Sequence, residues 1–168
     1  GLYSICSKVK MEIMKKIITI LSILFIGAAA YSQSAQVVTE IIDAPKVTYG
    51  QICYLSAVSQ NLISESASYE EAVKALADKG IVSEQITPDT EITLSNLAYI
   101  YAQMFNIKGG LMFRLTKGSP RYAFKQMKSD GVISQNYDPS LILSGREALN
   151  IYTSCNMLYN EDEFAGDL

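Results

Sequence analysis

Arg121, Lys125 and Lys128 fall at i, i+4 and i+7 along a stretch of helical spacing, with Arg114 and Lys117 just upstream. At that spacing the three cations share one helix face. Such a face suits an anionic wall polymer, a lipid headgroup or an acidic partner. A merely solvated helix face carries the same pattern. The chain as a whole is acidic, with 14 Lys and Arg against 17 Asp and Glu. That balance argues against general nucleic-acid binding, which rests on neutralising phosphates.

Catalytic groups are scarce. The chain has no histidine, which removes His-dependent triads, Cys-His dyads and the common zinc sites. Two-carboxylate or lysine chemistry is what remains. The neighbours Glu70 and Glu71 point to different azimuths of a helix and read as first-turn acids favoured by the helix dipole. Lys117-Gly118-Ser119 lacks the leading glycine and spacing of a phosphate loop. The reading is therefore a chain with no enzymatic activity, no catalytic residues, no metal site and no cofactor. Cys53 and Cys155 offer two outcomes, a disulfide permitted by export or a pair of buried thiols. Tyr54 with Tyr99, and Tyr101 with Tyr152, offer aromatic faces for sugar rings or, equally, filling for helix interfaces.

The elements that must position these residues come from a duplication. A shift of 51 residues pairs Ser68 with Ser119, Gly80 with Gly131, Ser83 with Ser134, Pro88 with Pro139 and Tyr101 with Tyr152, without a gap. Each copy reads as helix, tight turn, helix. Ser68 with Glu71 forms a capping box, and Ser119 followed by Pro120 starts the matching helix. These helices run to about Lys79 and Asp130, where Gly80 and Gly131 close them in the left-handed conformation. The second helix of each copy opens at Thr93 or at Ser144, the latter with Glu147 three residues on. Apolar residues then recur at Leu94, Leu97, Ala98, Tyr101 and Met104, and at Ala148, Ile151, Tyr152 and Cys155, a spacing that buries one face.

A partial third copy lies upstream at a shift of 45, setting Val47-Thr48-Tyr49 on Ile92-Thr93-Leu94. Thr48 and Gln51 make another capping box. The expected architecture is all-α: two helix-turn-helix repeats plus the partial copy, packed as a pseudo-symmetric three-helix core. The link from Asn106 to Gly118 contains Leu111-Met112-Phe113 and offers a short strand near 111–115 or a docked loop.

This layout resembles the S-layer homology motif. The resemblance is carried by Ala72 to Tyr101, with Gly80-Ile81-Val82, Pro88 and Ile92-Thr93, and by Ala123 to Tyr152, with Gly131-Val132-Ile133, Pro139 and Leu143-Ser144-Gly145-Arg146-Glu147. It implies a helical envelope module with a wall polysaccharide as ligand. Two departures bear on that ligand. The family places an arginine directly after the residue that opens the second helix, where this chain has Tyr49, Leu94 and Gly145. The family's glycine-aspartate loop is shortened to Ser83–Thr87 and Ser134–Asp138. Together they imply a retained fold without the usual ligand site.

Compartment follows from the leader. Lys15 and Lys16 precede the apolar run Ile17 to Ala30, and Ala30-Tyr31-Ser32 supplies small residues for cleavage. This is the secretory pattern, too short for a permanent span. The expected organisation is upstream sequence at 1–10, a signal peptide at 11–32, a linker at 33–46, the repeat domain at 47–159 and an acidic disordered tail at 160–168. Setting aside Lys8, Lys10, Lys15, Lys16 and Glu12 leaves 10 basic and 16 acidic residues, a net charge of −6. The chain is thus expected in the periplasm or at the cell surface, touching membrane only through its leader. Its expected role is to bind or organise a cell-wall or outer-membrane component, with a cell-wall polymer or an envelope protein as partner. The competing role is a structural or assembly subunit of a periplasmic complex.

Overall fold

The computed structural model describes residues 14–15, 35–115 and 118–160, the side chains of Met112 and Phe113 excepted. The expected signal peptide apart from residues 14–15, Lys117, and the expected tail from 161 onward lie outside the described residues. The compact unit begins at Val38. It holds the greater part of α1 (35–43), then α2 (Tyr49–Ser59), α3 (Tyr69–Asp78), α4 (Leu94–Met104), α5 (Leu111–Leu115), α6 (Pro120–Ser129) and α7 (Gly145–Tyr159). The fold is all-α. Among the described residues, β pairing is confined to one bridge between Thr48 and Glu91.

Helix starts are fixed locally. Thr48, Ser68 and Ser144 each form a complete capping box with Gln51, Glu71 and Glu147. Each satisfies amide protons that a helix start otherwise leaves without partners. Thr93 opens α4 as expected but without such a box: its hydroxyl makes no cap bond and accepts from Asn96 Nδ2 at 3.0 Å. Ser119 makes no side-chain cap bond either, and Pro120 occupies the first helical position.

The ends repeat as well. Gly80 and Gly131 adopt φ of 71° and 79°. Ile81 N donates to Leu76 O at 3.0 Å and Val132 N to Met127 O at 2.9 Å, the same closing bond 51 residues apart. The turns that follow also agree, with Ile86 N on Ser83 O and Tyr137 N on Ser134 O. Asn61 and Asn106, 45 residues apart, take positive φ and close α2 and α4. Leu62 N then bonds Ala57 O, and Ile107 N bonds Ala102 O. Asparagine tolerates the left-handed region because its short polar side chain bonds locally.

α2 is apolar nearly all round, and eight of its eleven residues are buried; it lies in the centre. α3 packs on α2, and α6 packs on α4 in the matching way. α3 buries Ala72, Val73 and Leu76, while α6 buries Ala123, Phe124 and Met127. Each large side chain removed from water in this way contributes about 2 kcal/mol. The segments before the core helices meet at Val47, whose amide donates to Leu143 O at 2.9 Å while its carbonyl accepts from Ile92 N at 3.1 Å.

Two expectations are corrected. The stretch 33–46 is not a plain linker: it holds α1, and Ile41 is fully buried. Its seat is Gly145, where an added Cβ would run into the Ile41 carbonyl. Residues 111–115 form a helix rather than a strand. Leu, Met and Arg favour helix, the stretch has no β-branched residue, and a lone strand leaves its backbone groups unpaired.

Candidate functional site

The cations predicted to share one face are only partly brought together. Arg121 and Lys125 are exposed on α6, and Lys125 Nζ lies 5.6 Å from the centre of the Tyr122 ring. Arg114 is exposed on α5. Lys117 falls outside the described residues. Lys128 leaves the patch. It is half-buried, its Nζ donates to the Tyr137 carbonyl at 3.0 Å, and it lies 5.1 Å from the centre of the Phe124 ring. Hydrogen bonds from the Ser140 hydroxyl and amide hold the Asp138 carboxyl below its ordinary range, with a smaller contribution from the charge of Lys128.

The turn after α4 adds a cation that the spacing argument missed. Lys108 and Arg114, with Gln103, Asn106 and Gly118, line an open cleft of about 610 Å³. Asn106 at φ 47° turns the chain out of α4 and delivers Lys108 to that cleft. Gln126 ties the loop after Lys108 to α6, accepting from Gly110 N at 3.1 Å and donating to Asp130 at 2.8 Å. The signal in the sequence was the cluster Asn106-Ile107-Lys108-Gly109-Gly110, which marks a turn carrying a lysine. The cleft presents Lys108 and Arg114, and α6 exposes Arg121 and Lys125.

The other chemistry-bearing residues are structural. Cys53 and Cys155 are free thiols, both buried, which replaces the disulfide reading. Burial pushes each thiol up to about 12, and Asp130 adds to the rise at Cys155. Neither is poised as a nucleophile. Tyr54 is buried, donates to Glu65 O at 2.6 Å and meets the Tyr69 ring edge-on at 5.9 Å. Tyr101 is fully buried against Tyr152 at 5.9 Å. These two fill helix interfaces. Glu71 belongs to its capping box, whereas Glu70 points away to a separate cleft.

The positions directly after the three helix-opening residues hold no cation and no open surface: Tyr49, Leu94 and Gly145 are all buried. Among the described residues, no group of three or more acidic, thiol or imidazole side chains could hold a metal ion, and no helix is long and apolar enough to cross a membrane. Comparison with family models, with curated proteins and with solved structures finds no match for this chain.

Proposed function

We propose that this chain is a non-enzymatic, exported module of the cell envelope that holds an anionic wall or outer-membrane component. The observation that carries the reading is the cluster of Lys108 and Arg114 in one open cleft, with Arg121 and Lys125 exposed on α6. It stands out against an expected mature charge of −6. A local positive field on an acidic body concentrates a polyanion at one place and repels it elsewhere.

The resemblance to the S-layer homology motif supports the compartment, and the recurring bonds at shifts of 45 and 51 residues support three related units around one core. On this reading the ligand site has moved. The family's arginine column is built into the interior here, as Tyr49, Leu94 and Gly145, and the cations have gathered on α5, α6 and the turn after α4.

Retention of the purified chain on isolated cell wall and on outer-membrane fractions tests the proposal. Binding that falls with salt and is lost in the Lys108→Gln/Arg114→Gln variant is the expected result. Absence of retention on either fraction at low salt rules the reading out.

A second reading, a subunit of a periplasmic assembly, is favoured by one feature. Leu111 and Leu115 lie one turn apart on α5 and are 72% and 68% exposed. Adjacent apolar side chains left in water mark a contact surface when they form a patch. Sedimentation of the purified chain with envelope extract, compared with a Leu111→Ser/Leu115→Ser variant, separates this role from polymer binding.

A further inference from the structure

The second repeat carries a lysine inside itself, and the first repeat carries the matching space. Lys128 extends from α6, passes the Phe124 ring and donates to Tyr137 O at 3.0 Å. In the 51-residue register Phe124, Lys128 and Tyr137 correspond to Val73, Ala77 and Ile86. Those three residues line an open cleft of about 490 Å³ on α3. Replacing a lysine by an alanine on an otherwise equivalent backbone leaves a channel the width of an alkyl chain. In the same register the Ile86 carbonyl answers to the Tyr137 carbonyl that receives Lys128, and it accepts no hydrogen bond from the described residues.

The rim changes sign with the occupant. Around the cleft stand Glu70, Asp78 and Glu84, while Lys74 is engaged with Asp78 at 2.9 Å. The corresponding rim of the second repeat is Arg121, Lys125, Ser129, Gln135 and Asp138, of which Asp138 alone is acidic. A lysine held by its own backbone is already tethered, whereas one that arrives from outside depends on an attracting field. Three acids stand where the lysine is missing, against one where it is present.

We propose that the α3 cleft takes a lysine side chain from a separate basic polypeptide. The alkyl stem lies along Val73, Ala77 and Ile86, the ammonium reaches the Ile86 carbonyl, and Glu70 and Glu84 supply the complementary charge. This site is distinct from the cationic cleft and does not depend on the envelope-polymer reading.

The test is an amide NMR titration of the full chain with acetyl-Gly-Gly-Lys-Gly-Gly-amide, set beside the same peptide with norleucine in place of lysine. Saturable shifts at Ala77, Ile86 and Thr87 with the lysine peptide, at least tenfold weaker with norleucine, are expected. Ala77→Lys fills the cleft from within, as Lys128 does in its own repeat, and should abolish those shifts while raising the thermal midpoint. Should that variant fail to fold, Glu70→Gln/Glu84→Gln leaves the surface neutral and should weaken the peptide at least fivefold. Equal shifts from both peptides, shifts located away from α3, or undiminished binding by either folded variant would overturn the proposal.

Discussion

Tyr101 donates its hydroxyl to the Ala148 carbonyl at 3.1 Å, tying the middle of α4 to the first turn of α7. The ring is fully buried and meets Phe105 and Tyr152 edge-on at 6.4 and 5.9 Å. Tyr101→Phe keeps the ring contacts and deletes the bond. The expected loss is about 1 kcal/mol, since the Ala148 carbonyl also lies within a helix ladder. It should appear as a lower urea midpoint at unchanged slope. A midpoint equal to that of the parent chain would show that the bond contributes nothing.

Alkaline pH should destabilise the fold through the same interior. Burial raises Tyr101 above its ordinary 10.0, and it raises Cys53 and Cys155 from 9.0 to about 12. A group whose folded value is raised contributes stability that is complete below its unfolded value and declines as pH climbs toward the folded one. These groups therefore leave stability level through neutrality and lower it from about pH 9 upward. Urea midpoints measured between pH 7 and 11 check the direction; a rise over that range contradicts it.

The seat of α1 is a steric prediction. Gly145→Ala places a Cβ against the backbone carbonyl of Ile41, and backbone cannot rotate aside as a side chain can. The expected cost is about 3 kcal/mol, at the upper end for overpacking. Gly80→Ala is the control: its Cβ meets nothing within 4 Å, but φ is +71°. That change carries only the left-handed backbone cost of about 1–2 kcal/mol. Hydrogen exchange should show α1 losing protection in the first variant and keeping it in the second.

The three cations of α6 should separate by role. Arg121→Gln/Lys125→Gln removes exposed charge and should change stability by less than about 0.5 kcal/mol, while weakening retention on an anionic polymer at low salt. Lys128→Gln loses the bond to Tyr137 O and the contact with Phe124, and should cost about 1–2 kcal/mol. Thermal melts of the two variants decide it. Equal stability would return Lys128 to the surface patch.

What the sequence made legible was chemistry that acts within a few residues. Thr48, Ser68 and Ser144 cap as their neighbours three positions on require, and Gly80 and Gly131 close the helices they follow. α1 was hidden because 35–43 is rich in β-branched residues, which are poor helix formers; burial of Ile41 against Gly145 overrides that preference. The patch at 121, 125 and 128 followed from spacing alone. Spacing assigns a face, but it does not reveal that a carbonyl across the next turn captures one of the three. Lys108 was overlooked for the converse reason: it sits outside any helix, where periodicity says nothing.

The double bond at Val47 has a consequence for the order in which the molecule assembles. Its carbonyl is engaged by Ile92 and its amide by Leu143, so a residue near the start of the compact unit waits for two segments made long after it. During synthesis α2 is made before both of these partners, so this junction closes only once Leu143 has left the ribosome. Such distant pairing slows folding relative to a bundle held by local contacts. Pulse-labelled hydrogen exchange during refolding should protect the Val47 amide no sooner than the amides of α7. Earlier protection of Val47 would show that the chain finds another way to begin.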